Sequence, residues 1–318
     1  DRLGYRPNAL ARSLASKQVR TIGVLLNDLS NPFFAQVYEA LAEQAEVKGY
    51  AILLGAGQRS RDREQAIVSG FLSHRVAGVI LVSPRMSAAS IAHLTSGIPA
   101  VIVGRDLRVP DVDLITNDEG IGVRAAVDHL VGLGHRRIAL LTSQGLIHTN
   151  QERLAGYLQG LAAAGIPVDD ELIRMSPYTR ESAEHETEVV LALDDPATAI
   201  FTTDNLMSLG AFEGTQRAAR RVPEDVSIVG FDDLEWTTIV RPQLTVVAQP
   251  VYELGAAAAQ HLPQALGDLH GVLQVLVIVG LRLLREQQHA GESRAVQHRH
   301  AGLAAQCSRQ AGVAQRAR

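Results

Sequence analysis

The stretch Thr21–Gly55, TIGVLLNDLSNPFFAQVYEALAEQAEVKGYAILLG, decides the fold of this chain. A continuous apolar run, TIGVLL, precedes a helical pattern, and a second apolar run, YAILLG, follows it. Asn31 and Pro32 are typical of a helix start, and Gly49 is typical of a helix end. Apolar strands without polar alternation are buried on both faces, so this stretch predicts one strand–helix–strand unit of a parallel sheet.

The same alternation continues along the chain and then starts again. The first series runs on through the strands VAGVILV and IPAVIVG, and a second contains the strands RRIALLT, ATAIFTT and VSIVGF with helices between them. Two series within 318 residues predict an α/β protein of two doubly wound parallel-sheet lobes. We place the N-terminal lobe at 21–117, with part of 245–267, and the C-terminal lobe at 118–244. RPQLTVVAQP is interpreted as an extended connection.

Ligands of such sheets bind beyond the carboxyl ends of the strands. This rule points to six segments as the candidate ligand-binding site: Asn27–Phe34, Gly104–Asp106, Asn117–Asp118, Ser143–Arg153, Thr203–Asn205 and Phe231–Trp236.

Composition excludes several classes of protein. No apolar run approaches the roughly 20 residues that a membrane span needs, and Asp1–Arg20 lacks the apolar core of a secretory signal. The single cysteine, Cys307, excludes an internal disulfide and a cysteine-based zinc site. We therefore expect a cytoplasmic protein with no membrane partner.

The sequence offers no enzyme site. Gly55 and Gly57 resemble the start of a dinucleotide-binding fingerprint, but Ser60 replaces the third glycine and the motif follows the second strand. The histidines at 298–300 lack the spacing of metal ligands on a folded element. No nucleophile–base set is recognisable, so we expect no catalytic residue, no metal and no cofactor.

Positive charge is concentrated at the start of a chain whose net charge is −4. The first twenty residues contain one acid, Asp1, and five basic residues: Arg2, Arg6, Arg12, Lys17 and Arg20. A basic arm on an acidic body favours a polyanionic partner, and a merely solvated terminus is the alternative. Pro7 and Asn8 could start a short helix with Leu10 and Leu14 on one face.

The segment GYRPNALARSLASKQ resembles the hinge of the lactose/galactose-repressor family of bacterial transcription regulators. Further motifs match in order over about Leu3–Gly255: NPFF, GLGHRRIALLT, ERLAGYLQGLAAAGI, TTDNLMSLGA, VSIVGFDD and LTVVAQP. The resemblance implies a core like that of the periplasmic binding proteins, preceded by a short hinge helix.

For DNA, the resemblance implies a hinge helix that enters the minor groove of operator DNA in a homodimer, with Leu14 wedged between base pairs. The residues that match this hinge are Tyr5, Pro7, Asn8, Ala11, Arg12 and Leu14. DRLGYRPN matches only the end of the family's helix-turn-helix headpiece, so we expect operator binding by this chain to be weak or absent.

For the effector, the resemblance implies a sugar or sugar derivative bound between the lobes. The matching positions, which include the strand ends above, are Asn31, Phe33, Phe34, Arg105, Arg153, Asp204, Asn205, Asp232 and Trp236. Phenylalanine faces pack on sugar rings, and a guanidinium offers a rigid fork of donors to oxygen pairs. Relatives commonly have asparagine at the position of Asp204, and Trp236 either closes the cleft or packs between the lobes.

Two alternatives remain. A transport binding protein shares the two-lobed core, although the basic hinge favours a regulator. The composition also changes at the C-terminal end, where 268–318 predicts a disordered tail and LQVLVIVGLRLL could be a strand or a short helix. We expect a change of coding frame near Ala256–Gly267, which would deprive the N-terminal lobe of its last helix and strand and leave a non-functional regulator.

Overall fold

The computed structural model describes residues 19–143, 148–267, 274–277 and 280–282. The predicted hinge residues lie outside this described part: Tyr5, Pro7, Asn8, Ala11, Arg12 and Leu14. Most of the predicted tail lies outside it as well.

The elements alternate as the sequence predicts. Up to residue 118 they are β1 (Thr21–Leu26), α1 (Pro32–Val47), β2 (Ala51–Ala56), α2 (Arg61–Ser73), β3 (Val79–Val82), α3 (Ala88–Leu94), β4 (Ala100–Val103) and β5 (Asp113–Asn117). The following elements are α4 (Glu119–Gly132), β6 (Ile138–Ser143), α5 (His148–Ala163), β7 (Ile173–Ser176), α6 (Arg180–Leu191), β8 (Ala199–Thr202), α7 (Asn205–Arg217), β9 (Ser227–Phe231), α8 (Glu235–Ile239), β10 (Thr245–Ala248), α9 (Val251–Gly267), β11 (Gln274–Val277) and β12 (Gly280–Arg282).

The strands form two six-stranded sheets of equivalent order. The first sheet runs β11-β5-β4-β3-β1-β2, and its neighbouring strands are parallel. The second runs β12-β10-β9-β8-β6-β7 and is parallel except for β12, which is antiparallel to β10. Helices cover both faces of each sheet, so the predicted pair of doubly wound α/β lobes is confirmed.

The helix signals around α1 act as predicted. The side-chain oxygen of Asn31 accepts a hydrogen bond from the backbone N–H of Phe33 at 2.9 Å, and Pro32 occupies the first turn. Gly49, just past the helix, has a φ of +73°, a conformation that favours glycine. These caps fix where α1 begins, and thereby place Phe33 and Phe34 at the end of β1.

The expectation that the first lobe lacks its last helix and strand is wrong. Leu254, Ala258 and Leu262 recur every fourth residue on α9 and are fully buried against α1 and the first sheet. β11 then pairs with β5, so a helix and an edge strand complete this lobe. The prediction of a disordered tail from 268 onward is wrong for 274–277 and 280–282, which are strands. The change of coding frame stays a prediction.

Two boundaries also differ from those expected. β10 pairs with β9, so RPQLTVVAQP contains a strand of the second sheet and that lobe extends past residue 244. β5 is a strand that the sequence pattern did not single out, because the polar residues Asp113, Thr116 and Asn117 interrupt it. Among the residues described, no helix combines the length and apolarity needed to cross a bilayer.

Candidate functional site

A cavity of about 100 Å³ lies between the two lobes. Its walls come from loops and helix starts beyond the carboxyl ends of strands in both sheets, as expected for α/β lobes whose strands point at a shared crevice. The lining residues are Asn27, Asn31, Phe33, Phe34, Arg59, Ser83, Pro84, Arg85, Gly104, Arg105, Glu119, Thr149, Asn150, Arg153, Tyr178, Asp204, Asp232 and Gln249.

Seven of the nine residues predicted for the site line this cavity: Asn31, Phe33, Phe34, Arg105, Arg153, Asp204 and Asp232. Asn205 does not line it. Its amide nitrogen instead donates to Asn31 Oδ1 at 2.6 Å and to Asp232 Oδ2 at 3.0 Å. Asn205 therefore positions two lining residues.

Trp236 is also absent from the cavity wall. It is partly buried on α8 and packs against an apolar cluster of the second lobe, formed by Phe212, Ile228, Leu244 and Val246. The structure thus places Trp236 neither over the cavity nor between the lobes.

Sequence reasoning missed several lining residues that obey the same strand-end rule. Arg59 follows β2, the segment Ser83–Arg85 follows β3, Tyr178 follows β7, and Gln249 follows β10. Glu119 starts α4 directly after β5. The prediction left out the strand ends at β2, β3, β7 and β10, so the rule applied to every strand would have found these residues. Glu119 directly follows the predicted segment Asn117–Asp118, which was drawn one residue too short.

Polar contacts join the two lobes across the cavity. Asn31 of the first lobe donates through Nδ2 to Asp204 Oδ2 of the second at 3.0 Å. Arg59 Nη1 donates to the carbonyl oxygen of Tyr178 at 2.8 Å, while Arg59 Nε pairs with Asp28 at 2.7 Å. Any change in the angle between the lobes therefore stretches identifiable hydrogen bonds.

Gln249 connects both lobes at the point where the chain returns to the first. Its side-chain oxygen accepts from Asn117 Nδ2 at 3.1 Å, and its nitrogen donates to Asp232 Oδ1 at 2.6 Å. Asn117 ends β5, where the chain first leaves the N-terminal lobe. These two crossovers, the first two along the chain, are thus hydrogen-bonded to each other and to a lining carboxylate.

Arg153 is the most heavily engaged cation of the cavity. Its Nε is 3.0 Å from Glu119 Oε2, its Nη1 donates to the carbonyl oxygen of Thr203, and its guanidinium lies 4.1 Å from the centre of the Phe231 ring. Burial by itself lowers the pKa of Arg153, but the Glu119 carboxylate outweighs it and the net pKa is raised. The group is a fixed, fully charged donor.

Two buried carboxyl groups face Arg153 from the ends of β8 and β9. Burial, followed by the charge of Asp232, raises the pKa of Asp204 to about 6. Burial likewise raises the pKa of Asp232, against the hydrogen bonds from Asn205 and Gln249. Hydroxyl groups are the natural partners of such carboxylates, because a hydroxyl can donate to them without adding charge.

The Asp204 pKa gives a testable pH dependence. In the unfolded chain the Asp204 carboxyl has a pKa near 3.8, so the folded chain binds the proton of this carboxyl more tightly than the unfolded chain does. The stability that Asp204 contributes therefore falls as pH rises from about 4 to 6. Asp204→Asn keeps the cap on Leu206 and carries no charge, but its amide nitrogen replaces the oxygen that accepts from Asn31. We therefore expect the stability of the variant relative to the wild type to rise between pH 4 and pH 7.5, by up to about 3 kcal/mol.

At pH 4 the wild-type side chain is protonated and uncharged, so the charge at position 204 no longer distinguishes the two proteins. Urea midpoints of both proteins at the two pH values measure the difference. An equal difference at pH 4 and pH 7.5 would contradict the raised pKa.

Phe33 and Phe34, which follow β1, belong both to the core of the first lobe and to the cavity wall. Phe33 and Phe34 meet edge to face, with ring centres 5.2 Å apart, and both are buried in the first lobe's core while lining the cavity. They supply an apolar wall opposite the carboxylates. Within the described residues, no cluster of three or more His, Cys, Asp or Glu side chains is placed to hold a metal ion.

Comparisons with known proteins agree with this architecture. The family model of periplasmic binding proteins and sugar-binding domains of the LacI family matches residues 19–287, which includes the compositional change near Ala256–Gly267. Catabolite control protein A of Priestia megaterium is 35% identical over 266 residues, which are 82% of this chain and 80% of that protein. The transcriptional repressor CytR of Escherichia coli K12 is 30% identical over 80% of this chain and 75% of that protein.

A solved structure supports the same relationship. The complex of the transcriptional regulator CelR with cellobiose superposes with a TM-score of 0.76 at 25% identity, covering 88% of this chain and 91% of that one. The relatives are regulators, in line with the expectation of a non-enzyme. Twin sheets, a shared cavity and these matches lead to one conclusion: the chain belongs to the LacI/GalR family of transcription regulators.

Proposed function

We propose that this chain is a ligand-responsive DNA-binding transcription regulator whose effector binds in the cavity between the lobes. The observation that carries the proposal is the wall itself, which combines buried carboxylates, a fixed guanidinium and two phenylalanines. This mixture suits a small hydroxylated molecule, because polar groups fix its orientation while the rings cover its apolar face. The regulators among its relatives and the cellobiose bound in the CelR complex support the assignment.

The lobe-to-lobe hydrogen bonds suggest how binding is transmitted. An effector that inserts between Asn31 and Asp204, or reinforces them, biases the angle between the lobes. In a homodimer that grips operator DNA through its N-terminal segments, this angle alters the spacing of the two DNA-binding arms. Coupling of this kind is reciprocal, so operator DNA changes effector affinity by the same factor.

The assignment predicts the effect of Asp232→Asn. Asparagine tolerates the φ of +68° at this position and keeps the side-chain shape, but it removes the charge and replaces one acceptor oxygen. Calorimetry against a panel of monosaccharides, disaccharides, nucleosides and sugar phosphates should identify a ligand of the wild type, and Asp232→Asn should bind it at least tenfold more weakly, about 1.4 kcal/mol.

Glu235→Gln is the matched control, because Glu235 is exposed on α8 and does not line the cavity. It should bind the ligand as the wild type does. Equal affinity in Asp232→Asn and the wild type would place the effector elsewhere, and the absence of any ligand in the panel would contradict a hydroxylated effector.

A further inference from the structure

Two arginines of the first lobe form what we call the basic wall of the cavity, namely Arg85 and Arg105. Arg85 follows β3, and Arg105 follows β4, which is the parallel neighbour of β3 in the sheet. The two side chains therefore reach the cavity from adjacent strand ends. The carboxylates Asp204 and Asp232 belong to the opposite lobe.

The negative charge around the basic wall does not balance the positive charge of its two arginines. Its acidic neighbour is Glu64 on α2, a fully buried carboxylate whose Oε2 accepts from the backbone N–H groups of Arg85 at 2.8 Å and Met86 at 2.9 Å. The guanidiniums of Arg85 and Arg105 both interact with this carboxylate, and Arg61 adds a further positive charge beside Arg105. One negative charge among three positive charges leaves a net positive surface beside the cavity.

The basic wall also has donors without acceptors. Arg105 uses Nη1 on the carbonyl oxygens of Pro84 and Met86, while its Nε is buried and has no hydrogen-bond partner. Within the described part of the chain, the Arg85 guanidinium has neither a hydrogen bond nor an ion pair. By contrast, the lining residues Arg59 and Arg153 are paired with Asp28 and Glu119.

We propose that the effector is an anionic hydroxylated molecule, and that Arg85 and Arg105 bind its phosphate or carboxylate group. This inference rests on the proposed function and names the ligand's chemical class. A guanidinium fork matches the oxygen pairs of both anions, and partial exclusion of water strengthens the attraction. Asp204 and Asp232 repel an anion, so the charged end lies at the basic wall and the hydroxyl groups face the second lobe.

Simple anions test the wall without knowledge of the effector. Thermal unfolding of the full chain is followed in inorganic phosphate, in acetate and in chloride at equal ionic strength. We expect phosphate or acetate to raise the wild-type Tm above its value in chloride, and Arg85→Gln to lose this gain. Arg124→Gln is the control for charge removal, since Arg124 is exposed on α4 and does not line the cavity; it should respond as the wild type does.

An equal response of the wild type and Arg85→Gln to both anions, including no response in either, would overturn the proposal. The anion that raises the wild-type Tm more, phosphate or acetate, identifies the group that the basic wall prefers.

Matched sugars complete the test. Calorimetry compares glucose with glucose 6-phosphate and gluconate, and ribose with ribose 5-phosphate. In at least one set, an anionic member should bind at least tenfold more tightly than the neutral sugar. Arg85→Gln should remove this difference in affinity. If neutral and anionic members bind equally in both proteins, the anion site is wrong while the proposed function stands. If no sugar binds but the phosphate response depends on Arg85, the hydroxylated effector is wrong and the anion site stands.

Discussion

Replacing Arg153 with methionine is expected to lower the free energy of unfolding by about 3–5 kcal/mol. The change leaves the Glu119 carboxylate, which is only 3% exposed, without its positive partner. It also removes the donor to the Thr203 carbonyl and the cation over Phe231. A buried charge without a partner is far more costly than the loss of an exposed ion pair.

Urea unfolding followed by the fluorescence of Trp236, the single tryptophan, measures this effect in the lobe that holds Arg153. Arg124→Met removes an exposed arginine 3.9 Å from Asp128 and should cost less than about 1 kcal/mol. The double variant Arg153→Met/Glu119→Gln should recover part of the loss, because no buried charge then remains unpaired. A cost for Arg153→Met no greater than that for Arg124→Met would show that the pair does not stabilise the lobe.

Leu254→Ala is expected to cost about 2–5 kcal/mol of folding free energy. Leu254 is fully buried in the core of the first lobe, where α9 packs on α1. Truncation leaves a cavity that the surrounding helices cannot close. The adjacent Gly255 lies so close to α1 that an added Cβ would be 2.3 Å from the carbonyl oxygen of Val37.

Tyr252→Ala on the same helix is the control, because Tyr252 is 51% exposed and its hydroxyl group donates to Glu43 Oε2 at 3.2 Å on the surface. It should cost less than about 1 kcal/mol. Urea midpoints from far-ultraviolet circular dichroism compare the two variants. Similar costs would mean that α9 is not part of the core, and the first lobe would then be incomplete, as the sequence composition suggested.

Local patterns were sufficient for most of the fold. Apolar runs such as TIGVLL and VAGVILV, together with the cap at Asn31, predict strands and helices because their signal lies within a few residues. β11 and β12 could not be assigned in this way. Their residues fit a strand or a short helix equally well, and pairing with β5 and β10, more than thirty residues away in either case, decides the outcome.

The site residues that could be predicted from the sequence are those placed by the geometry of a parallel sheet. Residues at strand ends, such as Asp204 and Asp232, line the cavity because parallel strands deliver their ends to one edge. Trp236 ends the predicted segment Phe231–Trp236, but it already belongs to α8 and packs against the apolar cluster of the second lobe. The role of Asn205 depends on the direction of one amide group and could not be read from the sequence.

The interleaved path of the chain has a consequence for its synthesis. The first sheet is completed by α9 and β11, which the ribosome makes only after the whole stretch 118–248. At roughly 5–20 residues per second, the nascent first lobe waits on the order of ten seconds with the apolar face that α9 covers open to water. The second lobe, contiguous except for β12, can condense earlier. A chaperone therefore has a defined surface and a defined interval in which to bind.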